Sequence, residues 1–368
     1  MDMVSVFIPV FKESNLLETL LNKLIKDSYE KKEIITVIDE PTENSLKTIK
    51  KYKNRVKFIL NKQRKGKATA LNEAAKIAKG DIFLFLDADC IISKNVKNFL
   101  KTIVEKIKDA DLLDIKKNTI IDSFLSKMNL FENMGAAVAY WLFDKINICG
   151  GVCGQGFAIK RYFFEKIGGF KKVIAEDLEI GIQTYLNRKK YRYTKDIEIY
   201  SKAPSTWNNF FKQRKKWGLG MGYHLKKYWK PILKGYLKHP KDLLISLYCV
   251  WPTLLSFLIL FFIDSFLGKF LMVSLISFSF RFSFLIPILL SINLGIIFIK
   301  NMLLFLIAYI FSFLLFFVSS KKFGYKFKAP EFTFYYLFYS PLYSIIFGYY
   351  FLRALFSSEH VILKDWKV

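Results

Sequence analysis

Short apolar runs alternate with helical patterns along the first third of the chain. The runs that predict buried strands lie at residues 4–10, 33–38, 56–60 and 82–86, the last being the uninterrupted IFLFL. Leucine, isoleucine and alanine recur at helical spacing at residues 14–25, 46–52, 68–78 and 96–108. Strand and helix in this alternation are typical of an α/β fold with a doubly wound, mainly parallel sheet.

Two later segments, 114–145 and 206–238, have patterns that predict long helices. Residues 114–145 are predicted to form one long mixed helix, whose pattern fits either packing on the sheet or lying on a bilayer surface. Residues 206–238 interleave aromatic side chains with lysines, the composition of an interfacial amphipathic helix. A solvated basic helix on the first domain is the alternative for this segment.

The last third of the chain is much more apolar. Four stretches without charge lie at residues 243–263, 282–299, 301–320 and 332–352. Each has about the 17–25 residues that cross a bilayer core as a helix. Four spans from a cytoplasmic start would place Lys321 and Lys322 outside, against the positive-inside tendency, and an extra or re-entrant segment around residues 266–284 would restore it.

These patterns predict four parts of the chain. They are a cytoplasmic α/β domain at 1–205, an interfacial amphipathic segment at 206–242, about four transmembrane helices at 243–356 and a tail at 357–368. No basic region with a long apolar run opens the chain, so we expect the first domain to stay in the cytoplasm and the protein to be a multi-pass protein of the cell membrane.

The charge is large and positive, with 57 basic and 31 acidic residues and a formal net charge of +26. Such a charge fits nucleic acid, but no zinc finger, RNP-type strand or basic zipper is visible, so no nucleic-acid partner is expected. Anionic membrane lipids and a phosphate-bearing substrate explain it more simply. The four cysteines form no CxxC pair, and the spacing of Cys149 and Cys153 does not favour zinc, so we interpret them as buried thiols.

Acidic residues follow three of the predicted strands. Glu13 follows the first, Asp39 the second, and Asp87 and Asp89 follow the IFLFL run. The carboxyl ends of parallel strands share one edge of a sheet, where ligands bind. These residues therefore indicate a divalent cation and a polar ligand at that edge, the alternative being that the loops are merely polar.

Seven motifs follow in order along residues 4–217. They are VFIPVFKE at 6–13, VIDE at 37–40, KGKATALN at 65–72, GDIFLFLDAD at 80–89, GQGFAIKR at 154–161, AED at 175–177 and QRKKW at 213–217. Together they resemble the motifs of family-two glycosyltransferases with a GT-A fold, especially the membrane-embedded synthases related to hyaluronan, chitin and cellulose synthases. Two features depart from that pattern, at residues 41–42 and at residue 216. Pro41 and Thr42 replace Gly-Ser, and Lys216 replaces the arginine of QxxRW. Lysine outnumbers arginine throughout the chain, so compositional drift explains the change at residue 216 as well as altered function does.

The resemblance implies a GT-A (Rossmann-like) domain that transfers a sugar from a nucleotide diphosphate sugar, expected to be UDP-linked, with inversion. Asp177 would be the catalytic base, and Asp87 and Asp89 would bind Mg²⁺ or Mn²⁺. The residues expected to bind the nucleotide sugar are Pro9, Glu13, Asp39, Lys67, Asp87, Gln213, Arg214 and Lys216. Those expected to bind the acceptor are Gly154, Gln155, Glu176 and Trp217. For Trp217, an anchor at the membrane interface is the alternative.

Several functions remain open at this point. The leading hypothesis is a membrane glycosyltransferase that either extrudes a growing polysaccharide or adds one sugar to a lipid-linked acceptor. The alternative from another class is a non-catalytic transporter or sensor that binds a nucleotide sugar. Intact Asp87, Asp89 and Asp177 favour the enzyme, because a pure binder needs no base. The sequence leaves the oligomeric state open.

Overall fold

The structure is a computed structural model that describes residues 2–243, 246 and 286–359. The chain divides into two compact units, one formed by Met1–Asp242 with Lys328–Val368 and the other by Leu243–Phe327. The sequence-based domain boundaries at residues 205, 242 and 356 stay predictions.

The first unit is built on an eight-stranded sheet. Its strands in chain order are β1 (Val4–Phe11), β2 (Lys32–Asp39), β3 (Lys57–Asn61), β4 (Ile82–Leu86), β5 (Cys90–Ile92), β6 (Leu112–Ile120), β7 (Gly156–Lys160) and β8 (Tyr191–Lys202). Their spatial order is β3-β2-β1-β4-β7-β6-β8-β5. Strands β3, β2, β1 and β4 are parallel, and all four were predicted. Strand β7 runs antiparallel to both β4 and β6, whereas β8 pairs parallel with β6 and antiparallel with β5, so the sheet is mixed.

Helices connect and flank these strands. In the first unit they are α1 (Leu17–Ile25), α2 (Glu43–Tyr52), α3 (Lys67–Lys76), α4 (Phe99–Ile107), α5 (Phe124–Ile146), α6 (Arg161–Lys166), α7 (Glu176–Leu186) and α8 (Trp207–Lys238). Toward the C-terminus follow a short helix Ala329–Phe334, a π-helical turn Tyr335–Tyr339 and the helix Ser340–Phe356. The predicted alternation of strand and helix is confirmed over the first four strands.

The prediction of one helix over residues 114–145 is wrong. Its first part belongs to β6, and α5 begins only at Phe124. Ser123 starts the helix, because its side chain accepts from the N–H of Ser126 while the side chain of Ser126 accepts from the N–H of Ser123. The lysines of β6 made this strand hard to predict, because lysine is usually exposed. Lys116 is nevertheless buried, and it pairs with Glu198 at 2.6 Å.

The two faces of the sheet carry different cores. Alternate residues of a strand point to opposite faces, so Val6 and Ile8 pack under helices α1 and α4, whereas Phe7 lies on the other side. There its ring stacks on Phe85 with centroids 5.0 Å apart, and Phe85 meets Phe170 edge-on at 4.9 Å. Burial of each such ring contributes about 1.5–3 kcal/mol. This aromatic layer supports the floor of the pocket described below.

Helix α8 packs along the helix Ser340–Phe356 through glycines. A Cβ added to Gly218 would lie 2.7 Å from the carbonyl oxygen of Phe347, and one on Gly222 would lie 2.5 Å from that of Phe351. Only glycine permits the two backbones to approach so closely. The predicted span at residues 332–352 lies in this C-terminal region. It is helical, with the π-helical turn Tyr335–Tyr339 in its first part.

The second unit contains the long helix Ile286–Phe323. Its portion Phe298–Phe323 has 26 residues and contains an 18-residue stretch with a mean hydropathy of 2.6, and it alone among the described helices is long and apolar enough to cross a membrane. The predicted span at 243–263 and the extra or re-entrant segment around 266–284 fall almost entirely outside the described residues, as does the start of the predicted span at 282–299. A bundle of about four spans stays a prediction.

Candidate active site

One pocket opens at the carboxyl end of β1 and β4. Its lining combines charged and apolar side chains, namely Pro9, Lys67, Leu71, Phe85, Leu86, Asp87, Gly154, Phe157, Phe170, Glu176 and Asp177. A single ammonium group thus faces three carboxylates above an aromatic floor. The pocket collects residues that lie far apart along the chain, at the sheet edge where the acidic strand ends predict a ligand.

Lys67 is the electrostatic centre of this pocket. It is the first residue of α3, and its Nζ lies 2.5 Å from Asp87 Oδ1 and 3.6 Å from Glu176 Oε1. Burial by itself would lower the pKa of Lys67, but the charges of Asp87, Glu176 and Asp177 outweigh burial and raise it. Lys67 is therefore a fixed cation at neutral pH.

Asp177 is held in place by the glycine-rich segment before β7. Its Oδ2 accepts the backbone N–H of Gly154 at 2.7 Å, and a Cβ on Gly154 would come equally close to that oxygen. Its Oδ1 accepts the N–H of Leu178 at 2.9 Å. Only glycine at position 154 leaves room for this carboxylate.

The adjacent acids Glu176 and Asp177 differ in their affinity for a proton. Burial raises the pKa of Asp177, and the neighbouring charge of Glu176 raises it further. Burial also opposes ionisation of Glu176, but Lys67 and Lys216 lower its pKa below the ordinary value. Of the two, Asp177 is the group that would take up a proton, which suits a general base.

Asp39 fastens the loop that leads to Lys67. It ends β2 and is 5% exposed. Its Oδ1 accepts from the side-chain amide of Asn61 at 2.9 Å, and its Oδ2 accepts the N–H groups of Lys65 at 3.0 Å and Gly66 at 2.9 Å. The predicted contact of Asp39 with the nucleotide sugar stays a prediction, and the structure adds that Asp39 positions the start of α3.

The replacement of Gly-Ser by Pro41 and Thr42 preserves a helix cap. Thr42 Oγ1 accepts the N–H of Ser45 at 3.3 Å and thereby caps α2, while it donates to Glu13 Oε2 at 2.6 Å. Thr42 therefore ties the loop after β1 to the loop after β2.

Asp87 and Asp89 form a donor set that fits a divalent cation. Asp87 Oδ1 is engaged by Lys67, whereas Asp87 Oδ2 has no hydrogen-bond partner within the described part of the chain, and Asp89 is exposed. A hard cation such as Mg²⁺ takes oxygen ligands, and it completes its coordination with water and phosphate oxygens, so two carboxylates suffice. Over residues 2–243, 246 and 286–359, no cluster of three or more His, Cys, Asp or Glu side chains forms a larger site.

The residues of the QRKKW motif lie on α8 outside this pocket lining. Arg214 has no exposed surface; its Nη2 lies 2.5 Å from Glu132 Oε1 and 3.0 Å from the hydroxyl of Tyr339. Its guanidinium also lies 4.2 Å from the ring centroid of Trp217, which is 36% exposed. Lys216 is exposed, and its charge acts on the two acids of α7.

The structure thus brings together six of the predicted site residues, which are Pro9, Lys67, Asp87, Gly154, Glu176 and Asp177. Outside the lining lie Glu13, Asp39, Asp89, Gln155, Gln213, Arg214, Lys216 and Trp217. The sequence-based reasoning missed the apolar floor formed by Leu71, Phe85, Phe157 and Phe170. These side chains occupy ordinary core positions in the pattern, and only their place in the fold distinguishes them.

Sequence comparisons relate this chain to known proteins. The sequence model of the family Glycosyl transferase family 2 matches residues 5–168. Probable glycosyltransferase YdaM of Bacillus subtilis is 26% identical in an alignment of 244 residues, which covers 63% of this chain and 58% of that protein. Poly-beta-1,6-N-acetyl-D-glucosamine synthase of Staphylococcus aureus is 25% identical over 225 residues, which are 59% of this chain and 54% of that protein. The chain therefore spans little more than half the length of these relatives.

One solved structure shares the fold over most of both chains. It is the mannosyltransferase PcManGT from Pyrobaculum calidifontis, determined in complex with GDP-Man and Mn²⁺. The match covers 82% of this chain and 87% of that chain, with a TM-score of 0.52 and 17% sequence identity. The fold is accordingly a GT-A-like α/β fold with a mixed sheet, as the resemblance implied.

Proposed function

We propose that the glycosyl transferase family 2 domain of this chain transfers a sugar, with inversion, from a nucleotide diphosphate sugar to a growing polysaccharide or a lipid-linked acceptor. The observation that carries the proposal is the pocket in which Lys67 faces Asp87 and Glu176 while Gly154 positions Asp177. It supplies a cation for a leaving group and a base for an acceptor in one place.

In the proposed reaction an acceptor hydroxyl attacks the anomeric carbon of the donor. The new carbon–oxygen bond forms as the bond from that carbon to the diphosphate breaks, and the nucleoside diphosphate leaves with the electron pair. Asp177 takes the proton of the attacking hydroxyl. Lys67 stabilises the charge that grows on the diphosphate, and Glu176, kept ionised by Lys67 and Lys216, shapes the acceptor side.

We propose that Asp87, which lines the pocket, and the exposed Asp89 hold a divalent cation, Mg²⁺ or Mn²⁺. When bound, such an ion neutralises the diphosphate and so improves it as a leaving group. We expect the donor to be UDP-linked. Additional donor contacts are proposed for Glu13, Asp39, Gln213, Arg214 and Lys216, and additional acceptor contacts for Gln155 and Trp217.

The acceptor and the membrane setting are further parts of the proposal. The similarity to a poly-beta-1,6-N-acetyl-D-glucosamine synthase supports a polysaccharide acceptor. The apolar helix Phe298–Phe323 and the exposed Trp207, Phe211 and Trp229 of α8 support contact with membrane lipids. We propose a multi-pass protein of the cell membrane with its catalytic domain in the cytoplasm.

The test is an assay of membranes that contain the full-length chain, incubated with radiolabelled UDP- and GDP-sugars in the presence of Mg²⁺ or Mn²⁺. We expect one donor to label a product, and sizing of that product separates a polymer from a glycolipid. Label in neither fraction, together with tight donor binding, would support the alternative of a nucleotide-sugar sensor or transporter.

The same assay tests the cation. We expect Asp89→Asn or a chelator to abolish transfer and to weaken binding of the nucleoside diphosphate, because the diphosphate then keeps its charge in the pocket. Full activity in chelator would contradict a metal requirement while leaving the assignment of Asp177 intact.

A further inference from the structure

A buried histidine on α8 lies behind the catalytic pocket. His224 has no exposed surface, and its ring nitrogens face oxygen atoms on both sides. Its Nδ1 lies 3.0 Å from Glu179 Oε2, and its Nε2 lies 2.8 Å from the carbonyl oxygen of Ile174 and 3.1 Å from that of Ala175. The pocket lining does not include His224.

These partners flank the residues that carry the proposed chemistry. Ile174 and Ala175 immediately precede Glu176 and Asp177, and Glu179 follows within the first turn of α7. Ala175 has a φ of 55°, a left-handed conformation that is unfavourable for a residue with a Cβ. A non-glycine residue persists in such a conformation only when its surroundings enforce it.

The backbone of α8 also packs closely against the turn formed by Ile174 and Ala175. A Cβ added to Gly220 would lie 2.9 Å from Ala175 Cβ and 3.2 Å from Ile174 Cγ2. Ile174 packs in a buried cluster with Leu219 and Tyr223 of α8. The turn is thus confined by packing and is hydrogen-bonded through a single side chain of α8, that of His224.

Glu179 is held as an anion by several donors. Its Oε1 accepts from the hydroxyl of Tyr228 and, at 3.1 Å, from the amide of Gln183. Burial opposes ionisation, but the contact with His224 and the hydrogen bonds from Tyr228 and Gln183 lower the pKa of Glu179 to about 2. A carboxylate oxygen of Glu179 lies beside Nδ1 of His224, and two backbone carbonyl oxygens lie beside Nε2, so each ring nitrogen faces an oxygen atom.

We propose that His224 is a positioning residue for Asp177, which fastens the strained turn before α7 to α8 and so keeps the Asp177 carboxylate against Gly154. The inference rests on the proposed function, because His224 acts through the base. It also links the helix that carries Gln213 and Trp217 to the helix that carries Asp177. Displacement of α8 would therefore be transmitted to the base through the contacts of His224.

The test compares three variants of the full chain in membranes. His224→Phe removes the ring nitrogens, His224→Gln retains an amide NH2 group that can reach a carbonyl, and Tyr223→Phe is the control. Tyr223 is the adjacent residue, and its hydroxyl donates to Glu359 rather than to the turn. We expect His224→Phe to lower kcat about 10- to 100-fold, because a misplacement of about 1 Å costs up to about 100-fold. The KM and Kd of the donor should stay nearly unchanged, His224→Gln should be intermediate, and Tyr223→Phe should match the wild type.

A second readout does not depend on activity. Hydrogen–deuterium exchange of the segment 173–179 should be faster in His224→Phe and His224→Gln than in Tyr223→Phe and the wild type. Unchanged kcat and exchange in either folded His224 variant would overturn the inference, as would a loss of donor affinity as large as the loss of kcat. If the wild type transfers no sugar, the proposed function fails, while the exchange measurement still decides whether His224 holds the turn.

Discussion

Lys67 and Arg214 are two cations with the same short contact and opposite surroundings. Lys67 Nζ lies 2.5 Å from Asp87, and Arg214 Nη2 lies 2.5 Å from Glu132. The side chains of Lys67 and Asp87 are 34% and 27% exposed, whereas that of Arg214 is fully buried and that of Glu132 is 14% exposed. The pair of Lys67 and Asp87 lines a pocket, and we call its surroundings the open region. The pair of Arg214 and Glu132 is enclosed between helices, and we call its surroundings the enclosed region.

Because the two pairs differ in exposure, they are expected to contribute differently to folding stability and to catalysis. A partly exposed ion pair contributes about 0–1 kcal/mol to folding, so Lys67 can exchange its carboxylate for a phosphate at little cost. Loss of one member of a buried pair costs about 3–5 kcal/mol, because the remaining charge stays without a partner. The enclosed pair joins α5, α8 and, through Tyr339, the π-helical turn. We expect chemistry to depend on the first region and stability on the second.

The largest effect is expected in the open region, from Asp177→Asn. A positioned base contributes about 10²–10⁴-fold to rate, and asparagine preserves the shape and the contact with Gly154 but accepts no proton. Transfer should fall by that factor while donor affinity and the midpoint of thermal unfolding stay the same. Turnover retained alongside weakened donor binding would show that Asp177 holds the donor instead.

The next effect belongs to the enclosed region. Arg214→Ala leaves Glu132 without its cation and should lower the free energy of unfolding by about 3–5 kcal/mol, measured by chemical or thermal unfolding of the purified chain. The double variant Arg214→Met with Glu132→Leu removes both charges and should recover most of that loss. A stable Arg214→Ala chain with impaired donor binding would instead support the predicted contact of Arg214 with the diphosphate.

The open region was far easier to predict from the sequence than the enclosed one. Motifs of contiguous residues contain Lys67, Asp87 and Asp177, and the parallel strands β3 and β4 bring the loop before Lys67 and Asp87 to one edge of the sheet. Arg214 was assigned to the donor because it stands in the QRKKW motif. Its partners Glu132 and Tyr339 lie 82 and 125 residues away in the sequence, and no local pattern reports contacts between such distant helices.

Strand β6 shows why one strand of the sheet could not be predicted from the pattern of hydrophobic and polar residues. Its residues Asp114, Lys116 and Lys117 are charged, and a charged stretch beside an amphipathic run reads as one exposed helix. In the fold these side chains are buried because Lys117 pairs with Asp114 and Lys116 pairs with Glu198 of β8. Burial of a charge depends on a partner, and the partner is set by topology.

A smaller effect is expected from Lys67→Met in the open region. Hydrogen bonds to charged groups contribute about 1.5–3 kcal/mol, so loss of the ammonium should weaken donor binding about 10- to 100-fold. Because the pair with Asp87 is partly exposed, the free energy of unfolding should change by no more than about 1 kcal/mol. Isothermal titration with UDP and thermal unfolding of the same preparation measure both. A loss of stability equal to that of Arg214→Ala would erase the contrast between the two cations.

The smallest effect is a shift in pH dependence. Burial and then the charge of Glu176 raise the pKa of Asp177, and a base works only when it is deprotonated, so kcat should fall as the pH drops through that raised pKa. Glu176→Gln removes a neighbouring negative charge, which lowers the pKa of Asp177 and should move the acidic limb to lower pH by about one unit or less. Glu132→Gln in the enclosed region removes a charge that has no contact with Asp177, and it should leave the limb in place. A limb that shifts equally in both variants, or toward higher pH in Glu176→Gln, would show that Asp177 is not the group whose ionisation limits turnover.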